Sequence, residues 1–312
     1  MSYAHAQYAQ SLADFGSPRH LPGCGGWVLE RPIPGWPGRR DAAGCYPLFR
    51  CAEWSGFGDD LEALRRDGMV SLTLVIDPLC EPPTERLGRW FDGIVLPYKQ
   101  HHLVDLAVPF AEATCAHHRR YVRRCARMAS VEVCAEPRRH LESWCRLYAE
   151  LAAHHAMTGP ARFSREAFAR QLALPGVRLL RAVAPGGEVL GLQMWFVEGD
   201  LAWYHLGAHG EAGYRAGVSF GLFAAAFDLL RGAGVRTVDL GGGAGLADDP
   251  ADGLSRFKAG WSTRAATAWL CGAVLDPVAY AHLGAARPTS FFPAYRDPRG
   301  AIVPEAVDAD HA

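Results

Sequence analysis

The sequence predicts an α+β protein made of two similar units in tandem, each with a mixed, largely antiparallel sheet flanked by helices. Three observations predict this class. The length of 312 residues suits about two domains of ordinary size. In the second half, a strand and two helices precede three closely spaced strands, which are followed by a helix, a strand, a short helix and a last strand. The first half shows a looser version of the same order.

The second half carries the clearer hydrophobic pattern. Three apolar runs at 177–184, 189–198 and 201–206 are separated by APGGE and EGD, which predict tight hairpins. A helix over 216–231 is apolar nearly all round, so we expect it to be buried. A strand at 235–240 runs directly into three glycines. The other elements predicted here are strands at 130–134 and 265–270 and helices that begin near Pro137, Ser164 and Leu254.

The first half is less regular. Residues 1–58 are rich in Gly, Pro and Trp and are expected to wrap a surface without regular structure. The run MVSLTLVI at 69–76 predicts a buried strand. Pro109 is a good first-turn residue and predicts a helix over 110–128. Helices at 59–67 and 85–91 and short strands at 93–96 and 103–108 complete this half.

These elements predict three segments of chain. An N-terminal domain spans 1–128, a C-terminal domain spans 129–287, and residues 288–312 form a Pro-rich tail that is expected to be poorly ordered. Removing the residues beyond Pro293 should therefore be tolerated.

Composition narrows the classes of function. The net charge of −1 gives no overall positive field, so any contact with nucleic acid needs a local patch, and DNA binding is not expected. The apolar runs are too short to span a bilayer and the first residues lack a signal-peptide pattern, which predicts a cytoplasmic protein. The nine cysteines include no CxxC motif, so we expect buried thiols and no metal site.

Histidine occurs in three doublets, His101-His102, His117-His118 and His154-His155. Neighbouring side chains point to different sides of a strand or helix, so a doublet is a poor metal chelate. Histidines exposed to solvent or at helix ends are the simpler interpretation.

The predicted helix over 110–128 carries the densest positive charge in the chain. Arginines at helical spacing lie on neighbouring faces, and we call Arg119, Arg120, Arg123 and Arg124 the arginine ridge. A solvent-exposed helix face is one interpretation. The other is an anion-binding surface for the phosphates of a nucleotide, a sugar phosphate or RNA.

A glycine-rich segment, VDLGGGAG, follows the predicted strand at 235–240. Glycines leave the backbone bare, so N–H groups of Gly241, Gly242 and Gly243 could approach a substrate closely. Asp239 precedes these glycines, and Lys258 follows on a short helix that could fold back toward them. The alternative is a simple domain-closing loop. The GxGxxG and Walker A phosphate motifs are both absent.

The segments DLGGGAG and DGLSRFKAGW resemble the closing signature of the FemAB-like branch of the GNAT acyltransferase superfamily. The resemblance covers about residues 115–275, and the first half is similar in outline. It implies two GNAT-like domains in tandem. It also implies direct transfer of an acyl group to an amine without a covalent enzyme intermediate. The donor is acyl-CoA in most GNAT proteins and aminoacyl-tRNA in the peptidoglycan-bridge FemABX enzymes.

The resemblance also suggests roles for individual residues. Lys258 matches the motif lysine and would stabilise developing charge or a donor phosphate, with Phe257 packed beneath it. We expect Lys258 to be exposed in a cleft. Asp239 would orient or help deprotonate the amine, and the backbone of Gly241–Gly243 would line the acceptor groove. These roles follow the chemistry of amine acylation, which needs a base and a charge stabiliser.

The loop before the long helix departs from the acetyl-CoA pattern. In acetyl-CoA users this loop cradles a pyrophosphate. Here Arg215 and Gly217 stand one residue too close together for that motif, while the Tyr214-Arg215 pair suits FemAB-like relatives. Arg215 could still bind an anion or lie on the surface. Tyr204 and His205 precede the loop and could face the groove, and His205 is the histidine considered as a base, with core packing as the alternative.

The sequence therefore predicts an N-acyltransferase that acts on an amine of a cell-envelope precursor, a sugar, a peptide or a small metabolite. Acyl-CoA or aminoacyl-tRNA would be a co-substrate, with no permanently bound cofactor. The alternative is a GNAT-fold protein that binds an anionic sugar or nucleotide without turnover. The donor, acyl group, acceptor, general base and oligomeric state are not determined by the sequence.

Overall fold

The computed structural model describes residues 3–91, 94–157, 161–244, 252–284 and 291–297. Its strands form one mixed sheet in the order β1-β2-β3-β4-β11-β5-β10-β9-β8-β7-β6. The strands are β1 (Ser17–Leu21), β2 (Gly26–Pro32), β3 (Arg40–Gly44), β4 (Met69–Ile76), β5 (Ile94–Asp105), β6 (Ser130–Val133), β7 (Arg178–Val183), β8 (Val189–Glu198), β9 (Leu201–His209), β10 (Thr237–Asp239) and β11 (Arg264–Val274).

Helices cover both faces of this sheet. They are α1 (Ala6–Ser11), α2 (Phe57–Arg66), α3 (Thr84–Trp90), α4 (Phe110–Ala113), α5 (Ala116–Cys125), α6 (Leu141–His154), α7 (Arg165–Gln171), α8 (Glu211–Ala216), α9 (Val218–Gly232), α10 (Gly253–Ala259) and α11 (Pro277–Gly284). The predicted α+β class, a mixed and largely antiparallel sheet flanked by helices, is confirmed. Within the described residues, no helix is both long and apolar enough to cross a bilayer.

Alternation along the strands divides the core between two faces. On one face, which we call the α6 face, Trp203 and Phe196 pack with Trp144 of α6. On the other, the α9 face, Trp195 and Ala202 pack against α9. Helix α9 is buried on several sides, as its apolar composition predicts, because α5 also packs on it.

Strand β11 joins the two halves of the sheet. It pairs antiparallel with β4 on one side and with β5 on the other, although both precede it by well over a hundred residues. Strand β10 pairs antiparallel with β5 and parallel with β9.

The domain limits proposed from the sequence remain a prediction. Of the predicted tail, residues 291–297 are described, and there Arg296 donates to Asp41 at 2.9 Å.

Several predicted elements need correction. The segment 1–58 is not irregular, because it contains α1 and three strands, β1 to β3. The two short strands predicted at 93–96 and 103–108 are one strand, β5. The helix predicted over 110–128 is broken at Thr114, which has an extended backbone. At this break the Arg119 side chain donates to the main-chain carbonyls of Ala111 and Thr114. The helix predicted over 216–231 is preceded by α8, and Gly217 makes the break with φ +68°.

Candidate active site

The candidate site lies where β9 and β10 diverge. The parallel pairing of these strands ends at Asp239 opposite Trp203, whereas β9 continues to His209 beside β8 alone. Residues 241–244, which we call the glycine loop, follow the carboxyl end of β10, and α8 follows that of β9, so both lie at the same end of the sheet. Loose backbone at the carboxyl ends of adjacent parallel strands is a common place for ligands.

Lys258 meets the glycine loop, as the sequence predicts. Its Nζ donates to the carbonyl of Gly242 at 2.6 Å. The expectation that Lys258 is exposed is wrong, because the side chain is buried, with 6% of its surface accessible. Burial lowers the pKa of Lys258 to about 8, since an ammonium loses hydration there, although the carboxylate of Asp239 opposes that shift.

The glycine loop presents carbonyls to two lysines rather than a row of N–H groups to a substrate. Besides Lys258, Lys99 donates from Nζ to Ala244 O at 3.0 Å and to Gly243 O at 3.3 Å. The N–H of Gly241 is already used, because it donates to Asp239 Oδ1 at 2.7 Å. Gly241 has φ +76°, a conformation that favours glycine and turns the loop past Lys258.

The Asp252 carboxylate fixes the loop to α10. One oxygen accepts from Ser255 N at 2.7 Å as the N-cap of the helix, and the same oxygen accepts from Ala244 N at 3.1 Å. The cap therefore determines where α10 begins, and with it where Lys258 stands.

A histidine that sequence reasoning did not select completes the site. His101 Nδ1 lies 2.8 Å from Asp239 Oδ2, with both side chains buried. His101 and Lys99 are two residues apart on β5 and share a sheet face, whereas His102 points the other way, to Ser255 Oγ at 3.1 Å. Period-two spacing from Lys99 to His101 was the available signal, and it has meaning only once the partner strand β10 is known.

A second buried carboxylate lies near this pair. Asp77 follows β4, bonds Arg50 Nη1 at 3.3 Å and is fully buried. Burial, together with the charge of Asp239, raises the pKa of Asp77 to about 7. The α6 face of the sheet therefore holds two mutually repelling carboxylates beneath the buried phenol of Tyr3, whose pKa burial also raises.

His205, considered from the sequence as a base, is buried on the α6 face, the face that also holds Asp239. Its ring stacks on Phe196 at 4.4 Å and contacts Tyr3 and Gln171. Burial lowers the pKa of His205 to about 3. The core-packing alternative describes this geometry. Its neighbour Tyr204 points to the α9 face, where its ring lies 5.8 Å from Lys258 Nζ, and Phe257 packs in the adjacent core cluster.

Tyr214 and Arg215 lie on α8, beyond the end of β9. The Tyr214 hydroxyl is 2.9 Å from His155 Nε2, and its ring lies 4.2 Å from that of His209. Arg215 pairs with Glu211 at 2.6 Å on an exposed surface. Their substrate-binding role stays a prediction.

The arginine ridge has two parts. Arg119 is partly buried and holds the break between α4 and α5 by donating to Ala111 O at 2.7 Å. Arg120, Arg123 and Arg124 are exposed, and Arg124 donates to Arg215 O at 2.8 Å. The ridge therefore lies beside α8, and its role in anion binding remains a prediction.

Among the described residues, no group of three or more His, Cys, Asp or Glu side chains is arranged to hold a metal ion. The nine cysteines are all free thiols. Most are buried, but Cys115 is exposed.

Comparison with known proteins finds a family model that matches part of the chain. Residues 113–258 match the family model described as acetyltransferase (GNAT) domain. This match confirms the resemblance to the GNAT superfamily that was drawn from the DLGGG and FKAGW segments. The comparison with curated proteins finds no significant match.

Solved structures share the fold over most of the chain. FemX superposes with a TM-score of 0.67 at 11% identity, covering 89% of this chain and 93% of FemX. The C-terminal DUF2156 domain of a putative lysylphosphatidylglycerol synthetase from Agrobacterium fabrum gives 0.61 at 17% identity, covering 88% and 89%. L-PGS from Bacillus licheniformis gives 0.59 at 12% identity, covering 88% and 94%. At these identities the likeness establishes the fold.

Proposed function

We propose that this protein is an N-acyltransferase that moves an acyl or aminoacyl group directly onto an amine. One observation carries the proposal: Gly241 N donates to Asp239, the buried partner of His101, and the next residue, Gly242, accepts from the buried ammonium of Lys258. Amine acylation requires a base for the amine proton and a group that stabilises the charge on the carbonyl oxygen.

The hydrogen bonds indicate which nitrogen of His101 carries hydrogen and which one can accept a proton. The Asp239 carboxylate only accepts, so a neutral His101 ring gives it Nδ1–H and keeps Nε2 as an acceptor. His101 Nε2 would take the proton of the attacking amine. Asp239, which also accepts from Gly241 N, is then a positioning residue rather than the base.

Lys258 would act on the other partner of the reaction. As the amine nitrogen bonds to the carbonyl carbon, negative charge grows on the carbonyl oxygen. A low-dielectric site strengthens the stabilisation of that charge by an ammonium. The bond from carbonyl carbon to the leaving oxygen or sulfur then breaks, and the leaving group takes a proton.

For the donor, aminoacyl-tRNA is favoured over acyl-CoA. A pyrophosphate at the N-terminus of α8 would meet two carboxylates, because Glu211 is in its first turn and Glu150 Oε2 lies against Gly210. Exposed Arg120, Arg123 and Arg124 instead offer a local basic surface beside α8. One structural neighbour is named as a putative lysylphosphatidylglycerol synthetase, a name that describes joining a lysyl group to a lipid.

The test supplies purified protein with either acetyl-CoA or a mixture of aminoacyl-tRNAs, together with a panel of amino sugars, peptides and small amines. We expect amine-dependent loss of the aminoacyl ester and a matching acylated product by mass spectrometry. Loss of acetyl-CoA instead would overturn the donor assignment alone. Binding of an anionic sugar with neither donor consumed would favour the non-catalytic alternative.

A further inference from the structure

A second reactive pair lies at the start of α5, outside the site on the glycine loop. Cys115 Sγ is 3.0 Å from His118 Nδ1. Cys115 is exposed, whereas His118 is buried, with 5% of its surface accessible. The pair opens into a cavity of about 420 Å³ that is also lined by Phe220, Arg256 and Phe257.

The contact of the other ring nitrogen of His118, Nε2, determines which nitrogen carries the hydrogen. Nε2 lies 2.8 Å from the carbonyl oxygen of Phe257, which can only accept. A neutral His118 ring therefore carries its hydrogen on Nε2 and presents a lone pair on Nδ1 to the Cys115 thiol. Burial lowers the pKa of His118, although the Phe257 carbonyl opposes that shift, so the ring is held neutral and able to take a proton.

Packing holds both members in place. The N–H of Cys115 donates to Gly260 O at 3.0 Å, which ties the start of α5 to the end of α10. The His118 ring contacts Phe220 and Trp261 edge-on, with centroids 4.9 and 4.7 Å away, and lies against Gly260, where no side chain would fit. Cys115 is also the N-cap residue of α5, directly before the first turn of the helix.

We propose that Cys115 is a nucleophile, with His118 as its base, that accepts an acyl group from a small apolar thioester bound in this cavity. The Cys115 sulfur bonds to the carbonyl carbon, and its proton passes to His118 Nδ1. The carbon–sulfur bond of the thioester breaks, and the leaving thiolate takes that proton from His118. This site does not depend on the function proposed above, since it uses neither His101 nor Lys258.

The chain supplies its own control for the test. Cys145 is a partly exposed thiol on α6, and burial raises its pKa. The intact protein is treated with phenyl thioacetate, and acetylation is followed at each cysteine by peptide mass spectrometry. We expect Cys115 to be acetylated at least about tenfold faster than Cys145, because His118 lies 3.0 Å from its sulfur and can take the thiol proton during attack. Cys115 reacting no faster than Cys145 would overturn the proposal.

A variant separates activation from mere exposure. His118→Phe keeps an aromatic ring but removes the base, and should slow acetylation of Cys115 about tenfold while Cys145 is unchanged. An unchanged Cys115 rate would overturn the role of His118 and with it the proposal. If the variant unfolds, Cys145 will react faster too, and the comparison of the two thiols within the wild-type protein decides the matter.

Discussion

His101 Nδ1 lies 2.8 Å from Asp239 Oδ2, diagonally across the β5–β10 pair in which Asp239 is opposite Leu103, and both side chains are buried. No sequence motif links the two residues. A carboxylate on Nδ1 orients the ring and stabilises its charged form after proton uptake. Because β10 is only three residues long, this bond lies at the last residue of the strand, directly before the loop that Lys258 contacts.

Replacing His101 should show whether it is the base. We expect His101→Asn to lower kcat/KM by about 10²–10⁴, the usual contribution of a positioned general base. Asp239→Asn should lower it less, since Asp239 acts through His101. His102→Asn is the control, because His102 is next in sequence but points to Ser255. Equal losses in the His101 and His102 variants would contradict the assignment.

Burial of the Lys258 charge should make the stability of the protein depend on pH. Its pKa is lowered to about 8, so between pH 8 and 10.5 the unfolded chain binds more protons and wild-type stability rises with pH. Lys258→Met should therefore raise Tm most at pH 7, where the desolvation cost is about 3 kcal/mol. The gain should shrink toward pH 10 while activity is lost at every pH. Thermal melts from pH 7 to 10 measure this, and a gain that grows with pH would exclude the explanation.

Substitution of Gly241 should cost more activity than the strain of its backbone conformation alone would explain. Gly241→Ala would be strained at φ +76° and would place a methyl group 3.1 Å from Lys258 Nζ. Gly187→Ala, at φ +88° with nothing within 4 Å, carries the strain without the contact. We expect similar losses of stability, about 1 kcal/mol each, but loss of turnover only for Gly241→Ala. Urea unfolding and a turnover assay measure the two effects, and equal activity in both variants would remove the contact from the mechanism.

The exposed part of the arginine ridge should control donor affinity. We expect the triple variant Arg120→Gln, Arg123→Gln and Arg124→Gln to weaken tRNA binding strongly at low salt and to reduce the slope of affinity against salt concentration. Replacing Arg138, Arg139 and Arg146 by Gln removes the same charge elsewhere and is the control. Filter binding between 50 and 300 mM salt measures both. An unchanged slope in the ridge variant would leave these arginines as a solvated helix face.

The limits of prediction differ between strands and site. Strands β4 and β8 match their predicted ranges, because long apolar or alternating runs define them. Strands β1 to β3 lie in a segment rich in Gly and Pro, where pairing rather than local preference makes the strand. Lys258 and the glycine loop belong to one motif and were predicted together. His101 could not be, because only the crossing of β5 beside β10 brings it to Asp239.

The insertion of β11 between β4 and β5 also has a consequence for how the molecule is made. Until the ribosome has released β11, β4 and β5 have no strand between them, and each exposes an edge with unpaired N–H and C=O groups. Such edges favour aggregation, so the nascent protein should depend on chaperones late in translation. Pairing of β11 with both strands should end this dependence.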